Sequence, residues 1–213
     1  MVCSELFRDR GPSPPAAARS EPRHGGREMS SVDPRIDPVD VDAYHRLERE
    51  LFGDDALTGT AHVSRTWAHS PGLTKAQRPL QNYLLGRSPL PAHDRELAIL
   101  RVAWLSRCEY AFGQHVRMGA AAGLTPEELD RVPQGPAADG WTEFQSVLLT
   151  AVDELHARNR LTDPTWTALA GTYDEAQLLD LIAVIGRYWT VTAMLNTINV
   201  RPEPGLPTFP RPR

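Results

Sequence analysis

Apolar residues recur at every third or fourth position along most of the chain, which is the spacing of amphipathic α-helices. Neither the strict alternation of a half-buried strand nor a βαβ pattern stands out in the sequence. The fold class predicted is therefore all-α. The predicted helices cover residues 39–53, 62–70, 74–86, 94–105, 106–123, 125–132, 141–159, 163–170 and 174–200.

Two of these segments are apolar around most of their circumference. Residues 94–105 predict a helix buried inside the protein, and residues 174–200 predict one that is central or lies in a subunit interface. A clear helix start lies at Thr125. Thr125, Pro126 and Glu128 have the order of a capping box with proline in the first turn.

The helical pattern defines one domain, residues 38–206, between two irregular tails. Residues 1–37 are rich in Pro, Gly and Arg and hold few large apolar side chains, so they are predicted to be disordered. Residues 207–213 are predicted to be a C-terminal tail, although the apolar side chains of Leu206 and Phe209 are suited to dock on the core.

Composition narrows the classes of function. The chain has 213 residues and a formal net charge of -4, which argues against nucleic acid as a partner because phosphate binding needs a basic face. No apolar run reaches the roughly 18 residues of a membrane span, so no membrane contact is predicted. The two cysteines, Cys3 and Cys108, make no disulfide framework, and a cytoplasmic setting is predicted. No histidine or cysteine pair has metal-ligand spacing, so no metal is expected.

The candidate chemistry lies at the junction between two predicted helices. Ser106 and Glu109 have the spacing of a capping box, which predicts a new helix start at Ser106. Cys108 would then be the second residue of that helix, where free N–H groups and the helix dipole favour a thiolate. His115 follows after nearly two full turns and therefore lies on the same face, with Ala111 between them.

Glu96 joins this group only if the chain folds back. In one unbroken helix Glu96 and Cys108 would lie about 120° apart, whereas a break near Ser106 turns the first helix back along the second. Glu96, Cys108 and His115 would then supply a base, a nucleophile or polarisable acid, and a second acid or base. That set suffices for proton transfer without a cofactor.

Each of these residues also has an ordinary structural explanation. A buried thiol is often only a small hydrophobe, and a glutamate in a first turn often balances the helix dipole. The neighbouring side chains are equally open to two interpretations, as the lining of a substrate pocket or as plain core. These pocket candidates are Trp104, Tyr110, Ala111 and Phe112.

The stretch DRELAILRVAWLSRCEYAFGQHVRMGAAAGLTPEEL resembles the signature region of the carboxymuconolactone decarboxylase family, within the alkylhydroperoxidase D-like superfamily. The resemblance covers about residues 60–206. It continues in GW at 140–141, LLTAVDELH at 148–156, LTDPTW at 161–166 and YDEAQLLDLIAVIGRYWTVTAMLNT at 173–197.

The resemblance implies a helical fold with paired active-site helices, no cofactor, and assembly as a homo-oligomer, usually a trimer or hexamer with pockets near the interfaces. Glu96, Cys108 and His115 match the glutamate, the first cysteine and the histidine of the alkylhydroperoxidase D-like motif. The second cysteine of its CxxC is Ala111 here, and a histidine within it is Tyr110. An internal redox dithiol is therefore missing.

Three functions follow as hypotheses. The first is a cofactor-free lyase, decarboxylase or isomerase acting by acid–base chemistry on a small carbonyl, lactone or carboxylate compound. The second is a one-cysteine peroxidase, in which Cys108 forms a sulfenic acid that an external thiol recycles, as peroxiredoxins do. The third is a non-catalytic oligomeric helical protein. The sequence does not identify the substrate.

Overall fold

Nine α-helices and two short 3₁₀ helices, Gly53–Asp55 and Val132–Gln134, make up the regular structure of residues 33–210, the part of the chain that the computed structural model describes. No strand occurs within this range, which confirms the predicted all-α fold class. The helices are α1 (Val41–Phe52), α2 (His62–Trp67), α3 (Pro71–Gly86), α4 (Ala92–Leu105), α5 (Glu109–Ala121), α6 (Pro126–Arg131), α7 (Glu143–Arg158), α8 (Asp163–Ala170) and α9 (Glu175–Ile198).

Capping boxes fix the starts of three helices, α6, α7 and α9. In each, the N-cap side chain accepts a hydrogen bond from the third helical residue, whose own side chain accepts one from the N-cap backbone. The box at Thr125 and Glu128 confirms the start signal in the sequence. At the other ends of α7 and α9, Asn159 and Asn199 take left-handed backbone conformations, in which asparagine is tolerated better than most residues.

Helix α4 occupies the centre of the fold. Every residue from Arg95 to Ala103 is buried, and α4 packs against α5, α7 and α9. Helix α9 is long and apolar enough to cross a membrane by composition alone, with a mean hydropathy of 1.5. Half of that stretch is buried against other helices, so α9 serves here as a core helix with one exposed face.

The turn between α4 and α5 differs from the prediction. The chain does break near Ser106, but Ser106 ends α4, Arg107 adopts a left-handed conformation at φ 53°, and Cys108 is the N-cap of α5. The N–H of Cys108 donates to the Ala103 carbonyl, 2.8 Å away, in the closing turn of α4. The predicted capping box of Ser106 and Glu109 was wrong, because the closing turn uses up two residues before α5 can begin.

Both ends of the predicted domain are bordered by packed irregular segments. Residues 1–32, most of the predicted N-terminal tail, lie outside the described residues. At residue 35 the chain already contacts the end of α9, since the Arg35 N–H donates to the Ile198 carbonyl at 2.9 Å. Near the other end, the Phe209 ring packs edge-on against Trp104 at 4.9 Å between centroids. Packing therefore extends beyond residue 206, where the sequence placed the start of the tail.

Candidate active site

A buried carboxylate–imidazole pair joins the two central helices. Glu96 lies near the start of α4 and His115 in the middle of α5, and Glu96 Oε2 is 2.6 Å from His115 Nδ1. Only 1% of Glu96 and 5% of His115 is exposed. The Arg95 Nε–H donates to the other carboxylate oxygen of Glu96 at 3.1 Å, so both oxygens are occupied. The fold-back predicted from the helix break therefore brings Glu96 and His115 together.

The Glu96 contact decides which nitrogen of His115 is free to react. Because Nδ1 faces the carboxylate, Nε2 is left as the nitrogen that can exchange a proton with a ligand. The ring also packs edge-on against Tyr188, with 4.7 Å between centroids. Burial and the nearby Glu96 charge raise the pKa of the Tyr188 phenol, so that phenol stays neutral at ordinary pH.

His115 forms part of the wall of a cavity of about 210 Å³. An apolar cavity of roughly 150 Å³ is large enough to hold benzene, so this one is large enough for a ring with a short substituent. Its lining is predominantly apolar, with a few convergent polar groups, as small-molecule sites usually are. The apolar part includes Val63, Leu84, Leu85, Met118, Val191 and Leu195, and the polar part includes Gln81, Gln114 and Arg187.

The four pocket candidates divide evenly. Tyr110 and Ala111 line the cavity. Phe112 and Trp104 do not, and their assignment to the pocket was wrong. Phe112 is rotated about 100° from Ala111 on α5 and instead packs, with Trp104, against the ring of Phe209.

Cys108, the candidate nucleophile, is also separated from the cavity. Its side chain is 1% exposed, belongs to the hydrophobic core and is absent from the cavity wall. Seven residues advance about 10 Å along a helix axis, and no hydrogen bond joins the thiol to His115 or Glu96 in the described chain. The space on the wall one turn nearer to His115 is taken by the methyl group of Ala111.

The predicted activation of the Cys108 thiol was also wrong. Burial raises its pKa to about 11, and the backbone N–H groups of Ala111 and Tyr110 oppose that rise only in part. These groups lie at the start of α5, where the sequence argument expected them to favour a thiolate. Desolvation outweighs them because the side chain is almost fully enclosed.

A hydrogen-bond network outside the sequence-derived motif fixes one side of the cavity. The Tyr110 hydroxyl donates to Glu203 Oε1 at 2.8 Å, and the Gln114 amide donates to Glu203 Oε2 at 3.0 Å. Glu203 comes from the irregular segment after α9, so nothing in its local sequence announced this role. Arg187 did leave a signal, because it is the lone basic residue of the apolar helix α9.

No group of three or more His, Cys, Asp or Glu within residues 33–210 is arranged to hold a metal ion. The polar side chains on the cavity wall instead carry amides, phenols, the Ser64 hydroxyl, the Trp67 indole, the His115 imidazole and the Arg187 guanidinium. Such a set can bind an organic compound and move a proton at Nε2 of His115.

Residues 71–154 match the profile of the Carboxymuconolactone decarboxylase family. No curated protein sequence matches the chain. Among solved structures, an alkylhydroperoxidase AhpD core, an uncharacterized peroxidase-related protein from Ralstonia eutropha JMP134, superposes with a TM-score of 0.66 at 18% identity, over 84% of this chain and 98% of that one.

Two further structures share the fold. A protein of unknown function from Agrobacterium tumefaciens, a putative antioxidant defence protein AhpD, has a TM-score of 0.60 at 21% identity, over 64% of this chain and 94% of that one. A cysteine variant of the debrominase Bmp8 in complex with 2,3,4-tribromopyrrole has a TM-score of 0.65 at 12% identity, over 82% of this chain and 95% of that one.

The family profile covers α3 to α6 and most of α7, and so includes both members of the Glu96–His115 pair. Residues 71–154 are therefore similar to the carboxymuconolactone decarboxylase family, and the chain shares its helical fold with AhpD-like structures. The resemblance seen in the sequence is thereby confirmed.

Proposed function

We propose that the protein is a cofactor-free acid–base enzyme of the lyase, decarboxylase or isomerase type, acting on a small carbonyl, lactone or carboxylate compound. The observation that carries this proposal is the buried 2.6 Å contact between Glu96 and His115, whose imidazole lies on the wall of an open, mostly apolar cavity. A histidine held in this way is a common general acid or base, and it needs no metal or cofactor to move a proton.

The two members of the pair have different roles in this proposal. His115 is the catalytic residue, because Nε2 is its nitrogen that is not bound to Glu96. Glu96 is absent from the wall, so it acts through His115: it fixes the ring orientation and tautomer and stabilises the imidazolium formed when Nε2 takes a proton. This differs from the sequence-based hypothesis, in which Glu96 exchanged protons with the substrate directly.

The cavity also limits the size and character of the substrate. Its volume of about 210 Å³ and its aliphatic walls suit a compact ring or branched compound. The fold relative Bmp8 was captured with a small halogenated heteroaromatic ring, which is consistent with a ring-sized ligand in this fold.

A proton-exchange assay on a panel of compounds tests the proposed chemistry. Small β-keto acids, lactones and cyclic ketones are incubated with the protein in D₂O, and NMR follows deuterium incorporation and loss of CO₂. We expect turnover of at least one compound to fall by about 10²–10⁴-fold in His115→Gln. Glu96→Gln should lower the rate as well, because the tautomer is then no longer fixed.

His69→Gln is the matched control, since His69 is an exposed histidine whose ring bonds to the Asp37 carbonyl, away from the cavity wall. Its rate should equal that of the wild type. If His115→Gln and Glu96→Gln turn over the same compound at the wild-type rate, the proposed acid–base role of the pair is wrong.

The alternative functions have weaker support. A one-cysteine peroxidase needs an accessible thiolate, whereas the Cys108 thiol is buried and its pKa is raised to about 11. A non-catalytic protein has no use for an open cavity beside a paired imidazole, and a closed or side-chain-filled pocket would have favoured it. The cavity beside His115 therefore supports the enzyme hypothesis.

We also propose that the protein assembles as a homo-oligomer, a trimer or hexamer, in a cytoplasmic setting. The support from the fold is a stripe of small and apolar residues on the exposed face of α9. Leu179 is 68% exposed and Ile182 is 37% exposed. The α9 stripe consists of Leu179, Ile182, Ala183, Gly186, Thr190 and Ala193. Exposed apolar surface of this kind often marks a contact between proteins.

A further inference from the structure

A cluster of hydrogen-bond donors without acceptors adjoins the main cavity. Five buried side-chain polar atoms in residues 33–210 lack a partner, and three of them are donors on neighbouring side chains: Trp67 Nε1, Gln77 Nε2 and Arg78 Nη1. All three side chains line a second, small cavity of about 20 Å³. Buried donors are normally satisfied, so three orphaned donors around one space indicate that an acceptor belongs there.

The donors belong to an ordered part of the fold. Gln77 and Arg78 are each 8% exposed and sit on α3, and Trp67 ends α2. The other nitrogen of the Arg78 guanidinium, Nη2, is bound to Glu48 Oε1 at 2.5 Å, which fixes the direction of Nη1. The Gln77 carbonyl oxygen accepts from Arg187, which leaves its NH₂ group directed elsewhere. Bonds to Arg187 and Glu48 thus hold the Gln77 and Arg78 side chains in place, and Glu48 itself lines the small cavity beside Arg78.

Arg187 adds a positive charge that no carboxylate of residues 33–210 balances. Its partners are the Gln77 amide oxygen and the Trp67 ring, whose centroid lies 5.7 Å from the guanidinium carbon. By contrast, Arg78 and Arg101 have the carboxylates of Glu48 and Asp153. Burial lowers the pKa of Arg187, which is the expected result for a cation withdrawn from water without an anion beside it.

The small cavity and the main cavity share part of their walls. Ser64, Trp67 and Gln81 line both cavities, and Arg187 lines the main cavity together with His115. A space of about 20 Å³ holds one water-sized group, such as a single carboxylate oxygen, and is too small for a tetrahedral anion. The apolar body of the same ligand would have to lie in the main cavity.

We propose that Trp67, Gln77, Arg78 and Arg187 form the subsite for the carboxylate group of a small cyclic organic acid, whose ring fills the cavity beside His115. This inference rests on the proposed function, because it uses the same cavity and narrows its substrate class to organic monoanions. A guanidinium with adjacent N–H donors is well suited to a carboxylate.

Calorimetric titration with matched charged and neutral ligands tests the subsite directly. The probes are benzoate, cyclohexanecarboxylate and 3-phenylpropionate, each compared with its own primary amide at pH 7. For at least one pair we expect the acid to bind about tenfold or more tightly than the amide, since only the acid supplies the missing negative charge.

Two variants test whether the proposed subsite causes the preference for acids over amides. Arg187→Gln should weaken binding of the acid by about tenfold while the amide is unaffected. Gln77→Glu places a carboxylate beside Arg187 within the chain, so it should also abolish the preference for acids while keeping the fold, as checked by thermal melting. Arg46→Gln, at an exposed position on α1, removes the same charge elsewhere and should leave the preference intact.

The inference is overturned if amides bind as tightly as acids, which would mean that water satisfies the donors, or if none of the acids binds. It is also overturned if Arg187→Gln keeps the wild-type preference. His115→Ala separates this result from the proposed function, because that variant should still bind the acids. A preference for acids without any His115-dependent turnover would refute only the acid–base function.

Discussion

Cys108 holds its proton more firmly than an ordinary thiol, and the reason is its position as a nearly enclosed N-cap. The folded-state pKa is about 11, against an ordinary value of 9.0. Because the folded-state pKa is the higher one, the contribution to stability is fully present below about pH 8. It is lost progressively as the pH rises through 9 and towards 11.

This shift predicts a pH-dependent difference between the wild type and Cys108→Ala. From pH 8 to pH 10, the wild type should lose about 1.3 kcal/mol of unfolding free energy relative to the variant, since the unfolded thiol ionises first. Urea unfolding of both proteins at the two pH values measures this difference, and the subtraction removes the effects of other titrating groups. If the unfolding free energy of the wild type minus that of the variant stays constant or increases from pH 8 to pH 10, the raised pKa of Cys108 is contradicted.

The same burial predicts slow oxidation of Cys108. At pH 7 a thiol with a pKa of about 11 is ionised in only about one molecule in 10⁴, and the thiolate is the reactive form. We expect hydrogen peroxide to convert Cys108 to a trapped sulfenic acid no faster than it oxidises free cysteine. Peptide-level mass spectrometry measures the rate and keeps Cys3 separate.

The protein unfolded in urea is the internal control for this experiment, because its Cys108 is exposed and should react faster than in the folded chain. Faster formation of the sulfenic acid in the folded protein would instead support the one-cysteine peroxidase.

The sequence indicated which residues form the site, but it predicted their surroundings only in part. Helical spacing correctly placed Ala111 and His115 on one face, and the chain break correctly allowed Glu96 to reach His115. The state of Cys108 depends on how completely other helices enclose it, and that is a property of packing that no local pattern expresses. Arg187 was overlooked although it is the lone basic residue of α9, because its unbalanced charge is visible only once its neighbours are known.

At the scale of elements, the helices follow the sequence pattern closely because caps and apolar faces agree. The Thr125 capping box started α6 where expected. The false capping box at Ser106 has a physical cause: a left-handed residue, Arg107, closes α4 at that point, and arginine gives no local warning of that conformation. The Ser106 hydroxyl is left buried without a hydrogen-bond partner.

The contact between α5 and the segment after α9 depends on one residue without a side chain. A Cβ added at Gly113 would lie 2.7 Å from Leu206 Cγ and would also collide with the Pro207 carbonyl oxygen, which is backbone and cannot move aside easily. We expect Gly113→Ala to lower the free energy of unfolding by about 1–3 kcal/mol, as overpacking usually does. Urea unfolding monitored by circular dichroism measures the change.

Gly72→Ala is the matched control on α3, where an added Cβ meets nothing within 4 Å. There the substitution should leave stability unchanged or raise it by up to about 1 kcal/mol, because alanine favours the helix. Equal effects of the two substitutions would mean that Gly113 is not needed for close packing of the segment around Leu206.

At the scale of the whole molecule, the α9 stripe predicts self-association. If it forms the proposed subunit contact, Leu179→Asp combined with Ile182→Asp should convert the oligomer into a 23.6 kDa monomer, because charges would be buried in an apolar interface. Light scattering coupled to size-exclusion chromatography measures the mass.

Trp166→Asp, at a residue 46% exposed on α8, introduces a charge on a different apolar surface and should leave the mass unchanged. A wild type that is itself monomeric, or a double variant of α9 with the wild-type mass, contradicts the proposed interface.

The cavity was the part of the molecule least accessible to sequence reasoning. Its walls come from α2, α3, α5 and α9, so residues as distant along the chain as Trp67 and Arg187 meet there. Periodicity predicts which face of a helix is buried, but not which of the buried faces leave a gap between them.

The Glu96–His115 pair lies within a single antiparallel hairpin of α4 and α5, and its members are only 19 positions apart. Closing so short a loop is entropically inexpensive, and local contacts of this kind tend to form early in folding. The proton-transfer unit is thus nearly self-contained, whereas most of the ligand-contacting wall is supplied by other helices, α2, α3 and α9. Substitutions in α2, α3 and α9 can therefore change which ligand the cavity binds without altering the hairpin that holds the imidazole.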